Sequence, residues 1–553
     1  MASQILLEEC PHDIDPLSAK APLIFATGPL VGIFPSMAKA VAMFKSPLTG
    51  NLGESYAGGN FSTALRFSEY GAIVIKGASD EPVRLIVESG DSHIENASSL
   101  WGRCPAEVEG LIKPSVRAPA KSVMSIGRAG ENCVNYASAI VDHHGHFGRL
   151  GIGAVMGSKK LKAVCVCGAD RVPLDEAPES NGVRDEINRL IVEAEVMKKY
   201  GELGTAANVL ALNELGALPS KNFSSSTYDR ADDVSGENFA RVVLKRKASC
   251  PGCSVACIHL GALDSANPSH HEHKQGSVSP EGELVSYNYQ PIFALGINLD
   301  VSNPTEVLRL IGRCERLGLD AIMTGAVLAW ATEAYENGLI AADETMGLRP
   351  EWGNVDTYLE MIENIVDLRN ECYAAMARGV AAAAERYGGK DYAISLGKNS
   401  LAGYFTGYGH VIGTLVAARH SHLSNAGYSI DQVALIKNIA PEEIVEFLVH
   451  EEDWLNVFNS LVGCYFSREV YSKELIVKAL AAVDIEHTEN ELMRMGREIS
   501  LRLQHFKQRE GFELSKERIP KRLLEIESPI GPLNPKVIQR MISHYIKIRQ
   551  DAR

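Results

Sequence analysis

Three cysteines lie close together in the middle of the chain, at Cys250, Cys253 and Cys257. Their C-x2-C-x3-C spacing allows the thiolates to face one small metal centre. A fourth cysteine, Cys464, follows far downstream in the segment Leu461-Val-Gly-Cys464. Three local thiolates and one distant thiolate suit an iron–sulfur cluster, which would make this an electron-transfer protein.

The same spacing is open to a zinc site completed by Cys464 or by a histidine. The nearby histidines are His259, His270, His271 and His273. Structural disulfides are the weaker alternative, because the chain is large and shows no export signal. Cysteines in periodic or apolar contexts are interpreted as buried free thiols: Cys10, Cys133, Cys165, Cys167, Cys314 and Cys372. Spacing alone leaves cluster and zinc as alternatives.

The composition bounds the class of protein. The 553 residues are 45% hydrophobic and 22% charged, with a formal net charge of −14, as in a large globular chain of about three domains. The acidic balance argues against a nucleic-acid binder. No apolar run approaches the roughly 18 residues of a membrane span. Glu8 and Glu9 follow the short apolar N-terminal stretch, so we expect no secretory signal and a cytoplasmic location.

The elements that must position the cysteines change in type along the chain. Strand patterns with glycine turns fill residues 21 to about 170, with predicted strands at Leu23–Thr27, Ala72–Lys76, Val83–Val87 and Leu161–Val166. Helical periodicity follows, at Val183–Lys199, Pro304–Leu317, Ala321–Asn337, Asn370–Tyr387, Pro441–Leu461, Lys473–Val483, Glu489–Phe506 and Pro535–Arg549. The predicted class is α+β: a β-rich N-terminal domain (1–175), then two mostly helical domains (176–385 and 386–553).

Two irregular segments are singled out. Leu263–Tyr287 is polar and rich in Ser, His and Gly, which predicts a surface loop. The glycine-rich segment Gly148–Lys162 runs into the strand at Leu161; a dinucleotide fingerprint needs the reverse order, and no P-loop motif occurs. Its glycine backbone, free of side chains, and its cations suit an anionic ligand such as a phosphate. The alternative is a structural turn whose basic residues are solvated. The cations are Arg149, Lys159, Lys160 and Lys162.

Taken together, these segments resemble the tungsten-containing aldehyde ferredoxin oxidoreductase family, in the same order over nearly the whole chain. The matching segments are Asp15–Ser18, Gly28–Leu30, Lys45–Gly50, Gly58-Gly59, Ser125–Asn132, Gly148–Lys162, Cys250–Cys257, Leu317–Asp320 and Gly463-Cys464. The run GAVMGSKKLKAV and the four-cysteine pattern are the most specific.

The resemblance implies a β domain covered by two helical domains, with a tungsten or molybdenum ion held between them by two pterins. It implies a [4Fe–4S] cluster on Cys250, Cys253, Cys257 and Cys464. The implied pterin contacts are Gly58, Gly148, Arg149, Leu319 and Asp320. The implied active-site positions are His422, with His420 two residues away, and Gln290. A histidine there can hydrogen-bond an oxo ligand or carry a proton.

The chain also departs from the family pattern. Family members carry some thirty residues before the point that corresponds to Met1, so we expect an N-terminal segment to be missing. The first acid of one pterin loop is Glu315, and the partner loop has Asn459 and Val462 in place of Asp and Gly. A phosphate-side Arg and Asn fall at Lys39 and Tyr56. Gln290 replaces the active-site Glu, and an amide cannot serve as a general base.

The resemblance therefore predicts an enzyme that oxidises an aldehyde or related oxo substrate. Its electrons would pass to ferredoxin or to an electron-transfer subunit, and a homo-oligomer is compatible with it. One alternative is a divergent paralogue that keeps the cluster as an electron-transfer or scaffold subunit. Another is a different substrate, such as an aromatic thioester. The sequence chooses neither the substrate nor the metal.

Overall fold

Strands dominate the first part of the computed structural model, which describes residues 1–169, 178–263 and 283–551. The strands are β1 Leu23–Ala26, β2 Ala40–Lys45, β3 Leu52–Ala57, β4 Ala72–Ile75, β5 Val83–Glu88, β6 Asp91–Asn96, β7 Ala120–Ile126, β8 Ala139–Val141, β9 Gly145–Phe147, β10 Leu161–Gly168, β11 Leu244–Ala248, β12 Ile258–Leu263, β13 Glu283–Tyr287, β14 Ser395–Leu396 and β15 Asn399–Ser400.

These strands form separate sheets. The first has the order β3-β2-β1-β4 and is antiparallel, with Leu23 opposite Phe44 and Ile75. The second has the order β6-β5-β10-β7-β8-β9, in which only β5 and β10 run parallel. A smaller antiparallel sheet, β11-β12-β13, lies within the later part of the chain. The loops around this third sheet carry the three clustered cysteines.

Helices make up most of the rest. They are α1 Ala2–Glu9, α2 Phe61–Phe67, α3 Pro105–Ile112, α4 Arg128–Glu131, α5 Ile152–Ser158, α6 Pro178–Glu193, α7 Glu195–Leu203, α8 Asn208–Glu214, α9 Gly236–Val242, α10 Tyr289–Leu295, α11 Pro304–Leu317, α12 Ala321–Glu336, α13 Val355–Val366, α14 Glu371–Met376, α15 Val380–Tyr387, α16 Tyr408–Val416, α17 Gly427–Lys437, α18 Pro441–Ser460, α19 Lys473–Ala481, α20 Glu489–Arg509, α21 Arg522–Glu525 and α22 Pro535–Asp551. None of these described helices has the combined length and hydropathy that a membrane crossing requires.

Local capping chemistry explains where several helices begin. The Asn303 side chain accepts hydrogen bonds from the N–H groups of Thr305 and Glu306, and Pro304 opens α11. α11 ends at Gly318, whose φ of +73° suits the left-handed conformation that glycine adopts without strain. Asp320 then caps α12 in the same way as Asn303 caps α11. The sequence predicts α11 with its observed bounds for these reasons.

The α+β class predicted from the sequence is confirmed, with two predicted helices broken. Val183–Lys199 divides into α6 and α7 at Ala194, which is extended, and Asn370–Tyr387 divides into α14 and α15 at Gly379, whose φ is +98°. The predicted loop Leu263–Tyr287 ends in a buried strand, β13, while residues 264–282 lie outside the described part. The domain boundaries stay predictions, and the first falls outside the described residues.

The glycine-rich segment differs from its prediction. It forms the short helix α5 before the strand, and Gly157 packs so tightly that a Cβ there would lie 1.8 Å from the Gly130 carbonyl oxygen. Its lysines do not form an anion site. Lys159 donates to the backbone oxygens of Ala19 and Gly77, and Lys162 is buried against Glu131. Lys160 lies over the Trp101 ring, 5.0 Å from its centroid. The segment is a packing element, because its cations bind internal partners.

Candidate metal and cofactor site

The four predicted cluster cysteines surround the side chain of Lys39. A Cβ placed on Gly58 would lie 2.8 Å from Lys39 Nζ and 3.0 Å from Cys250 Sγ, so ammonium and sulfur approach the same point. All four thiols act electrostatically on the Lys39 ammonium. The chain thus brings together thiols that are more than two hundred residues apart in sequence.

The segment before β2 makes this arrangement possible. The Cys464 N–H donates to the Ser36 carbonyl oxygen at 2.9 Å, and the Lys39 N–H donates to the Val462 carbonyl oxygen at 3.0 Å. The Ser36 hydroxyl lies 3.8 Å from Cys253 Sγ. One short β-domain segment therefore contacts both the local cysteine loop and the distant cysteine.

The zinc alternative gains no support here. Among the described residues, no three His, Cys, Asp or Glu side chains converge closely enough to hold one metal ion, as a zinc with bonds of about 2–2.3 Å requires. His259 packs edge-on against Tyr287, with ring centroids 5.8 Å apart. His270, His271 and His273 lie outside the described residues. All eleven cysteines are described, and all are free thiols.

The four cysteines stabilise the positive charge of Lys39, which lies among them. Burial alone would lower the pKa of the Lys39 ammonium, but the negative charge that the surrounding cysteines gain on ionisation, Cys250 first, raises it above its ordinary value. Burial raises the pKa of Cys257 to about 12 and also raises that of Cys464, and Lys39 opposes both shifts. A metal must bind thiolates. The Lys39 charge therefore lowers the free energy needed to ionise these cysteines.

Arg149 joins the β domain to two later segments. Its Nε donates to Asp320 Oδ2 at 3.1 Å, and its Nη2 donates to Asn399 Oδ1 at 2.7 Å and to the Ser400 hydroxyl at 2.7 Å. Asp320 is buried and caps α12 with its other oxygen. Leu319 is buried and pairs with Ala137. The predicted pterin residues Arg149, Leu319 and Asp320 are thus brought together, held by partners within the chain.

His422 lies at the edge of an aromatic group. Its ring stacks on Tyr404 with centroids 4.9 Å apart, and Tyr404 also packs on Tyr289 at 4.6 Å and Tyr428 at 5.1 Å. The buried His422 Nε2 has no hydrogen-bond partner among the described residues. Burial, with the charges of His410 and Arg149, holds the pKa of His422 well below its usual range. The imidazole is therefore neutral at pH 7, with one ring nitrogen unused.

The other two active-site candidates have different surroundings. Gln290 is partly buried and follows Tyr289 at the start of α10, where its N–H donates to the Asn288 side chain at 3.2 Å. His420 packs instead against Phe512, with ring centroids 5.1 Å apart. Of the two histidines, His422 is thus the one that contacts the aromatic group.

The positions that depart from the expected pattern have partners within the chain. Tyr56 donates to Glu54 at 2.6 Å, and Glu315 pairs with His146 at 3.3 Å. Val462 has a φ of +53°, a conformation that is rare for a β-branched residue. The chain thus keeps at Val462 a backbone conformation that glycine would adopt without strain.

Comparisons with known proteins show which family the chain belongs to. The sequence model "Aldehyde ferredoxin oxidoreductase, N-terminal domain" matches residues 1–168, and "Aldehyde ferredoxin oxidoreductase, domains 2 & 3" matches residues 182–550. The chain belongs to the aldehyde ferredoxin oxidoreductase family. Members of this family are oxidoreductases, and the enzyme class predicted from the sequence is confirmed.

The chain is similar in sequence or in fold to several characterised oxidoreductases. Tungsten-containing aldehyde ferredoxin oxidoreductases of Thermococcus kodakarensis and Pyrococcus furiosus are each 31% identical, over 99% of this chain and 90% of theirs. The WOR-like subunit of an aliphatic sulfonate oxidoreductase of P. furiosus is 28% identical over 64% of this chain and 56% of its own. The fold matches the active-site complex BamBC of benzoyl coenzyme A reductase with a TM-score of 0.83 and 21% identity, over 99% of this chain and 89% of that one.

The residues present fit the groups that the family name implies. Four cysteines around a lysine are a suitable donor set for an iron–sulfur cluster. Near them, a Cβ on Gly58 would displace the Lys39 ammonium, and a Cβ on Gly145 would lie 2.2 Å from the Gly58 carbonyl oxygen. Gly148 leaves open space, with His146 Cβ nearest at 3.6 Å. The bare glycine backbone and the unused His422 nitrogen are both features that suit a large polar cofactor such as a pterin.

Sequence reasoning did not find two features of this site. It noted Lys39 only as a departure, whereas the structure surrounds its ammonium with the thiols. It did not find the stacking of Tyr289, Tyr404 and Tyr428 near His422. A lone lysine in the apolar run Met37-Ala-Lys-Ala-Val-Ala-Met43 was the available signal for the first, since such a charge needs a partner.

Proposed function

We propose that this protein is a tungsten- or molybdenum-pterin oxidoreductase with a [4Fe–4S] cluster, acting on an aldehyde or related oxo substrate. Its electrons would leave through the cluster to ferredoxin or a partner subunit. The observation that supports this most is the approach of all four cysteines to the Lys39 ammonium beside Gly58, with Arg149 close enough for its charge to act on His422. The Arg149 N–H meets the Ser55 hydroxyl at 3.5 Å on β3, the strand that leads to Gly58.

In this proposal, Cys250, Cys253, Cys257 and Cys464 hold the cluster beside the Lys39 ammonium. When bound, the metal and the cluster together would accept two electrons from the substrate and release them singly. Arg149 keeps the β domain and the α12 loop in register through Asp320. The neutral His422 can orient a substrate oxygen or hold a proton through Nε2, whereas Gln290 can only form hydrogen bonds.

Metal and cofactor analysis of protein from its native host tests the proposal. We expect about four iron atoms per chain, which is the content of one such cluster. About one tungsten or molybdenum per chain and a pterin released on denaturation should accompany it, with aldehyde-dependent reduction of a viologen dye. Protein with intact iron but neither tungsten nor molybdenum would contradict the pterin chemistry and leave the electron-transfer subunit as the better interpretation.

A second candidate keeps the cofactors and changes the substrate to an aromatic thioester. The observation that favours it is the aromatic group next to His422, since stacked rings bind planar substrates well. Gln290 also lacks the carboxylate expected of an aldehyde oxidase of this family. Benzoyl coenzyme A reduction by the loaded protein, with no turnover of aliphatic or aromatic aldehydes, would support this candidate. The reverse pattern would support the first.

A further inference from the structure

A basic stretch precedes the clustered cysteines in an otherwise acidic protein. Residues 238–263 contain four arginines and lysines and no Asp or Glu, although the chain carries 69 acidic residues and a net charge of −14. The four cations are Arg241, Lys245, Arg246 and Lys247, and all are exposed. Within the described part of the chain, none of the four forms an ion pair with a carboxylate. Their charge is therefore presented to solvent.

This stretch lies against the cysteine loop. Lys245, Arg246 and Lys247 belong to β11, an edge strand of the third sheet that ends two residues before Cys250. Lys247 Nζ donates to the Gly201 carbonyl oxygen at 2.8 Å. A Cβ on the same glycine would lie 2.7 Å from the carbonyl oxygen of Val255, between Cys253 and Cys257. The basic strand and the cysteine loop thus meet at the end of α7.

The cysteine loop itself reaches the surface. Gly252 and Ser254, on either side of Cys253, are exposed, while the three thiols are partly buried. A cluster held there would lie close to solvent, next to the strand that carries Lys245, Arg246 and Lys247. Electron transfer between proteins is fastest where the two centres approach closely, and complementary charge increases the rate of encounter.

We propose that β11 and the adjoining cysteine loop form the docking surface for an acidic electron-carrier protein. The inference rests on the proposed function, because it needs the cluster. Elsewhere the negative charge of this chain repels an acidic carrier, and β11 provides the local attraction that steers it to the thiols. Lysines on an edge strand also discourage unwanted strand pairing. If preventing strand pairing were the only role of these lysines, replacing them by glutamate would leave the rate of electron transfer unchanged.

The test uses the cluster-loaded full chain and a small acidic ferredoxin, chemically reduced, as the probe. The variant is Lys245→Glu/Arg246→Glu, which leaves the Lys247 contact to Gly201 in place. The matched control is Arg494→Glu/Arg497→Glu, on the exposed face of α20. Stopped-flow absorbance then gives the second-order rate of cluster reduction at low and high salt, and iron content and dithionite reduction confirm that each cluster is intact.

We expect the β11 variant to reduce that rate at least tenfold at low salt, with the difference shrinking at high salt as charges are screened. The control variant should match the unmodified protein. Equal rates in all three proteins with intact iron would overturn the docking proposal alone. So would a change in the oligomeric state of the β11 variant without a change in rate, since β11 would then contact a second copy. An unmodified protein from its native host that lacks iron would contradict the proposed function, and docking with it.

Discussion

Replacing Lys39 by methionine should lower the reduction potential of the cluster that we propose on the four cysteines. Lys39 Nζ and Cys250 Sγ lie 2.8 and 3.0 Å from one point, the Cβ position of Gly58, so at most the sum of these distances, 5.8 Å, separates them. At an effective dielectric constant of about 20, two unit charges at that separation interact by about 3 kcal/mol. This equals about 120 mV for a one-electron couple.

The sign follows from the charge of the cluster. Reduction adds one negative charge, and a nearby ammonium stabilises the reduced form more than the oxidised form. Because the added charge spreads over a cluster that extends beyond Cys250, we expect a decrease of about 50–120 mV in the Lys39→Met variant. Lys39→Arg keeps the positive charge and should stay within about 30 mV of the unmodified protein.

Redox titration followed by electron paramagnetic resonance measures the potential of all three proteins directly. Iron analysis must show equal cluster content, so that loss of the cluster is not mistaken for a shift. A Lys39→Met potential equal to or higher than that of the unmodified protein would contradict this expectation. It would mean that the ammonium points away from the loaded cluster or that solvent screens its charge.

Three further predictions concern the cluster frame, acid stability and the C-terminal helix. Cys464→Ser should lower both the bound iron and the midpoint of thermal unfolding. The control Cys314→Ser should keep its iron. Unchanged iron in Cys464→Ser would exclude Cys464 as a ligand. Burial lowers the pKa of His410 to about 3, so the unfolded state binds more protons between about pH 6.5 and 3, and stability falls on acidification by about 1.4 kcal/mol per pH unit. His410→Gln should remove that part of the loss in denaturant titrations at pH 7 and 5, and equal losses would contradict this. Arg549→Met leaves the buried carboxylates of Glu452 and Asp453 without their ion-pair partner. The free energy of unfolding, measured by urea denaturation, should fall by about 3–5 kcal/mol. A loss below about 1 kcal/mol would show that water solvates the two carboxylates instead.

Local chemistry explains what the sequence could predict. α11 was predicted with its observed bounds because each end is set by adjacent residues, Asn303 and Pro304 at the start and Gly318 at the end. The break between α14 and α15 was missed, although Gly379 stood there, because helical periodicity continues through it. The zinc alternative also could not be decided locally. The approach of Cys464 to the other three cysteines depends on its hydrogen bond to Ser36, and spacing along the chain says nothing about such a contact.

The direction of a charged side chain also could not be predicted from the sequence. Lys159 and Lys162 follow a glycine-rich turn, and their sequence context suits a phosphate site. Their ammonium groups instead bind internal partners, Ala19 and Gly77 for the first and Glu131 for the second. The sequence does not show where a lysine side chain points. The fold alone determines whether its ammonium contacts a ligand or a carbonyl oxygen.

Strained backbone is part of what assembles the four cysteines. Three residues next to them have positive φ without being glycine: Ser36 at +61°, Ala256 at +50° and Val462 at +53°. Such conformations cost about 1–3 kcal/mol each and persist only where surrounding contacts impose them. Two of the three bear the hydrogen bonds that assemble the site, since the Ser36 oxygen accepts from Cys464 and the Val462 oxygen accepts from Lys39. The strain is therefore located in the two segments that bring the distant cysteine and the central lysine together. A fold that accepts this unfavourable energy positions Cys464 and Lys39 before any metal binds.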